Sequence, residues 1–77
     1  MALVRHFTHK LRERYSLHHE IEAGYFAFEK DGKRLLQIDT WGRKSREKPG
    51  KQSQTIQLDK DGALELYKIL KSNFDFS

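Results

Sequence analysis

The sequence predicts an α+β fold: a small antiparallel β-sheet packed against a C-terminal α-helix, with an N-terminal section that is either a short helix or an extended arm. Three observations carry this expectation. Residues 25–41, "YFAFEKDGKRLLQIDTW", hold two alternating runs around Asp31-Gly32. "SQTIQL" at 53–58 alternates again, and Asp59 opens a segment whose apolar residues recur at helical spacing.

The N-terminal section reads two ways. Leu3, Phe7 and Leu11, with Val4 beside Leu3, follow a helix stripe. Phe7, Leu11, Tyr15, Leu17 and Ile21 also occupy odd positions that fit one face of a strand. A helix or irregular arm to about residue 14, then an extended stretch, accommodates both patterns.

After Gly24 the pattern is plainer. Asp31-Gly32 is a hairpin turn signal, because glycine accepts positive φ without a Cβ penalty. In the first run Phe26 and Phe28 point one way, Tyr25 and Ala27 the other. In the second, Leu36 and Ile38 share a face opposite Leu35, Gln37, Asp39 and Trp41. In the third, Ile56 and Leu58 are expected to continue the buried face, leaving Ser53, Thr55 and Gln57 exposed. Asp59 is a plausible helix N-cap. Ala63, Leu66, Tyr67, Leu70 and Phe74 form the expected packing stripe, with Lys60, Glu65, Lys68 and Lys71 on the wet side and Gly62 weakening the first turn.

These elements make one small domain over residues 1–77, with a basic loop at 43–52 bent by Pro49-Gly50. A core of this size is marginal for a lone chain, and the absence of cysteine removes disulfide staples, thiolate metal sites and cysteine nucleophiles. A homodimer is one way to bury more apolar surface. No apolar run approaches the roughly 20 residues that cross a bilayer, and the N-terminus has no secretory apolar region. A cytoplasmic location without membrane contact is the expectation.

Net charge is +4 at a pI near 9.5. Within 43–51, "RKSREKPGK", Arg43, Lys44, Arg46, Lys48 and Lys51 face Glu47 alone, so this segment carries the whole net charge. A concentrated positive field suits phosphates or an acidic protein surface.

Catalytic patterns are incomplete. His6 and His9 are neighbours on a helix and could converge with His18 or His19 on a metal, yet no HExxH pattern or cysteine ligand accompanies them. Asp59 and Asp61 serve a helix N-terminus. Ser16, Ser45 and Ser53 lack a histidine–acid arrangement, and Asp39 beside the basic loop is one acid where a metal nuclease gathers several. No catalytic residue, metal ligand or cofactor site is nominated.

Nucleic-acid binding needs fewer special groups. Lys and Arg meet phosphates, exposed rings stack on bases and polar strand residues offer hydrogen bonds. Tyr25, Arg34, Gln37, Trp41, Arg43, Lys44, Arg46, Lys48, Lys51, Gln52, Thr55 and Gln57 are the candidate surface, Gln54 having the opposite parity to Thr55. Single strands fit better than a duplex, because the C-terminal helix has an apolar stripe and mixed charge in place of a basic recognition face.

"GKRLLQIDTWG", the linker ending "KPGK", and "TIQLDKDGALELYKIL" together resemble the positive-cofactor-four group of transcriptional coactivators and its bacterial relatives. The likeness spans about residues 33 to 70. It implies a curved antiparallel sheet with a helix, paired into a dimer, and places Trp41, Lys48 and Lys51 in the region that contacts single-stranded DNA. The leading expectation is non-enzymatic binding of single-stranded DNA or RNA, DNA in preference, in transcription regulation. The alternatives are an adaptor or inhibitor docking on an acidic protein partner, and a histidine-dependent metal-binding accessory or catalytic domain.

Overall fold

A computed structural model describes residues 1–41 and 52–76. Its elements are β1 (Ala2–Val4), β2 (Ala23–Lys30), β3 (Lys33–Trp41), β4 (Gln52–Leu58) and α1 (Lys60–Asn73). They form a four-stranded sheet in the order β1-β4-β3-β2, packed with the single C-terminal helix.

The β2–β3 hairpin turns at Asp31 and Gly32, both at positive φ (53° and 77°), the geometry that matches the twist of antiparallel strands. β3 and β4 are antiparallel, with the register shifting between Thr40 and Trp41. β1 pairs with β4 in parallel, Ala2 to Ile56 and Val4 to Leu58, which makes the sheet mixed where a purely antiparallel one is expected. The N-terminal section forms no helix: after β1 it runs without regular structure to β2 on the far edge.

Register fixes the faces. Val4, Leu58, Leu36 and Ala27 lie in one row across the sheet, and Ile56, Ile38 and Tyr25 in the next, all on one side. Leu3, Gln57, Gln37 and Phe26 form a row on the other side, followed there by Thr55, Asp39 and Gly24. Leu58 is 3% exposed and is the one buried apolar side chain among the described residues. It marks the face on which α1 lies.

The helix is held by its beginning. Asp59 caps it, its Oδ1 accepting from the Gly62 N–H at 2.8 Å, while Oδ2 accepts from Arg5 Nε at 2.8 Å. Glu65 accepts from the backbone N–H of Phe7 at 2.9 Å and pairs with His6 Nδ1 at 3.0 Å. Gly62 sits against the Val4 carbonyl with no room for a side chain. The segment after β1 is thus laced along the first two turns. Beyond them the expected packing stripe loses contact: Tyr67 is 58% and Phe74 59% exposed, and Leu70 is exposed as well. The helical spacing is present, but only its first half meets the sheet.

Two further expectations fail on β4. Ile56, expected to be buried, is exposed, because the helix covers only the Leu58 end of that face. Thr55, expected to be exposed, is 6% exposed, and its neighbour Asp39 only 9%. Both are polar, and burial is tolerated because the Thr55 hydroxyl donates to Asp39 Oδ1 at 2.9 Å.

The chain exposes 7698 Å². A compact monomer of 9.2 kDa exposes about 4,900 Å². Setting aside about 170 Å², the exposure of an unfolded chain, for each of residues 42–53 and 77 still leaves about 5,500 Å² on the rest. The described residues alone are more open than a whole compact domain of this mass.

Candidate nucleic-acid interface

Gln37, Thr55 and Gln57 come together on the sheet face away from the buried Leu58. Gln57 Nε2 donates to Gln37 Oε1, and Gln37 Nε2 donates to Asp39 Oδ1, each at 2.9 Å. With the Thr55 hydroxyl on the same Asp39 oxygen, four side chains on β3 and β4 make one continuous ladder. Alternation alone brings them here, since Gln37 and Asp39 are two apart on β3, as are Thr55 and Gln57 on β4.

Aromatic groups flank the ladder. Phe26 is the cross-strand partner of Gln37 and stands half-exposed with its ring centroid 5.5 Å from that of Phe28. Trp41 lies over Gly24, the residue opposite Asp39: a Cβ at Gly24 would overlap Cη2 of the indole and stand 3.0 Å from Cζ3. Only a residue without a side chain leaves the ring this position. Trp41 is therefore half-buried, with the outer end of its six-membered ring against Gly24.

Two of the expected residues lie elsewhere. Tyr25 pairs with Ile38, so it projects from the opposite face. Arg34 shares that opposite parity and sits at the hairpin end, its Nη1 3.5 Å from Glu29 Oε1. Neither joins the ladder. Arg43, Lys44, Arg46, Lys48 and Lys51 lie outside the described residues. Gln52 begins β4 opposite Trp41.

The structure adds groups that the sequence pattern did not single out. Met1, Ala2 and Leu3 join Gln37, Thr55 and Gln57 around an open depression of about 420 Å³. A second open concavity, about 560 Å³, is lined by Arg12, Arg14, Tyr15, Ser16 and His18 of the N-terminal arm. The alternation of Arg12, Glu13 and Arg14 before Tyr15 was the available signal for it.

Electrostatic perturbation is concentrated where the arm meets α1. The Gly62 N–H and the Arg5 guanidinium hold the Asp59 carboxyl below its ordinary value. The Phe7 N–H and His6 do the same for Glu65. Both carboxylates fasten the fold. Among the described residues no three of His, Cys, Asp and Glu gather as metal ligands, so His6, His9, His18 and His19 are not brought to one point. No described helix is long and apolar enough to cross a membrane.

Comparison with protein-family models, curated proteins and solved structures finds no match. The likeness to the positive-cofactor-four group therefore rests on the sequence outline alone.

Proposed function

We propose that this chain binds single-stranded nucleic acid, DNA in preference to RNA, and catalyses no reaction. The observation that carries the reading is the polar–aromatic sheet face: Gln37 and Gln57 half-exposed in a hydrogen-bonded row, Phe26 beside them and Trp41 at the end of β3. Chain connectivity leads from Trp41 directly into the +4 segment at 43–51. Rings would stack on bases, amides would meet base edges and the cationic segment would neutralise phosphates. A role in transcription regulation follows from the positive-cofactor-four likeness.

The test is fluorescence anisotropy with single- and double-stranded oligonucleotides at two salt concentrations, using wild type and Trp41→Ala. Five phosphate contacts on a single strand lower affinity about 100-fold between 50 and 200 mM salt. Salt-sensitive single-strand binding that weakens in Trp41→Ala supports the reading. Absence of binding to either form refutes it and turns the basic segment into a docking surface for an acidic protein.

A homodimer is part of this proposal. Tyr67 and Leu70 of α1 and Phe74 just after it, together with exposed Ile56 and Tyr25, are uncovered. A standard interface takes up about 800 Å² per partner, and these exposed rings and aliphatic side chains are what a second copy would cover. A second copy covering them leaves the ladder free. Sedimentation equilibrium should return twice the 9.2 kDa chain mass, and a monomer at micromolar concentration would remove this part of the proposal.

A further inference from the structure

We propose that Gln57, oriented by Asp39 through Gln37, reads the Watson–Crick edge of an unpaired base, so that the ladder selects for unpaired bases while tolerating any base identity. This rests on the nucleic-acid reading above and assigns the hydrogen-bonding partner within it.

The orientation of a glutamine amide is ordinarily a choice between two near-equivalent poses. Here it is dictated. Asp39 Oδ1 accepts both the Thr55 hydroxyl hydrogen and one hydrogen of Gln37 Nε2. That turns Gln37 Oε1 toward Gln57, whose Nε2 donates to it. Gln57 is the last amide of the ladder, and its neighbour across the parallel pair is Leu3, which offers no polar side-chain atom. Among the described residues one N–H and the side-chain carbonyl oxygen of Gln57 are left over, a donor beside an acceptor.

Gln37, Thr55 and Gln57 all line the depression, and Met1 and Leu3, which share their side of the sheet, supply apolar side chains as a wall. A planar base can rest on that wall and turn its edge to the amide. Every base carries a donor next to an acceptor on its Watson–Crick edge: N6–H and N1 in adenine, N3–H and O4 in thymine, N1–H and O6 in guanine, N4–H and N3 in cytosine. An amide complements all four. In a duplex those same atoms are occupied by the pairing partner. The ladder therefore discriminates by pairing state, and base identity contributes little.

The experiment compares a labelled oligothymidylate with the same strand carrying N3-methylthymine, which has the same backbone and ring faces but no N3–H donor. Wild type should bind the unmodified strand about tenfold more tightly, because the methyl group removes the N3–H bond and its bulk holds the amide away from O4. Gln57→Met, of similar length but unable to make either bond, should weaken oligothymidylate binding by the same factor and abolish the difference between the strands, with the circular dichroism spectrum unchanged. Equal binding of both strands by wild type, or discrimination that survives in Gln57→Met, overturns the assignment while leaving single-strand binding intact. Binding of neither strand overturns the functional reading beneath it.

Discussion

Gly62→Ala sets two effects of opposite sign against each other. Alanine in place of glycine inside a helix gains up to about 1 kcal/mol from intrinsic propensity, and less in a first turn. On propensity alone the variant should be more stable. The structure places the new Cβ in overlap with the Val4 carbonyl oxygen, 3.1 Å from the Val4 carbonyl carbon and 3.3 Å from Arg5 Cα. All three are backbone atoms, and none can rotate away. Either β1 leaves β4 or the first turn of α1 leaves the sheet. The cap bond from the Gly62 N–H to Asp59 is available to alanine too, so it does not confound the comparison. Overpacking of this kind costs about 1–3 kcal/mol, and the net loss is about 1–2 kcal/mol. For a chain of 77 residues, that lowers the midpoint of thermal unfolding by about 4–16 °C. The assay is a circular dichroism melt, with hydrogen exchange at the Phe7 amide, which donates to Glu65, reporting the arm directly. An unchanged or raised midpoint would refute the docking of β1 against the helix start.

Three other outcomes follow from the same contacts. Gly24→Ala should displace the indole that lies over it, shifting the emission of the single tryptophan to longer wavelength while far-ultraviolet circular dichroism stays constant. Leu58→Ala removes the one buried apolar side chain among the described residues and should cost about 2–5 kcal/mol in denaturant titration, a large share of the roughly 4–12 kcal/mol typical for this length. Asp59 and Glu65, whose folded-state carboxyls lie below their ordinary values of 3.8 and 4.5, stabilise the fold fully above those values and lose that contribution as pH falls through the lowered ones. Melting temperature should therefore drop on acidification below about pH 5, and less steeply in Glu65→Gln.

Local chemistry made much of this fold legible. Asp31-Gly32 announces its turn, the 25–41 alternation announces β2 and β3, and Asp59 with the stripe after it announces α1. β1 was not legible, because Ala2–Val4 is too short to show a period and acquires strand geometry only by pairing with residues more than fifty positions away. The same long-range dependence hid the candidate site. Alternation sets Tyr25 apart from Phe26, but only the pairing of Tyr25 with Ile38 and Phe26 with Gln37 decides which ring accompanies the amides. Thr55 and Asp39 read as surface residues by polarity. Their burial depends on meeting each other across two strands, which residue type alone does not encode.

β1 joins the two sides of the molecule, and this makes the functional proposal vulnerable to a change far from the ladder. Leu3 walls the depression and is the cross-strand partner of Gln57, while the next residue, Val4, presents the carbonyl against which Gly62 closes. A strand of three residues cannot shift at Val4 and stay in register at Leu3. Gly62→Ala should therefore weaken oligothymidylate binding as well as stability, although no atom of Gly62 lines the depression. Its binding loss should overlap that of Gln57→Met, so the double variant binds about as weakly as the worse single one. Fully additive losses at a temperature where both variants are folded would mean that β1 is not the shared element and that the ladder keeps its geometry without it.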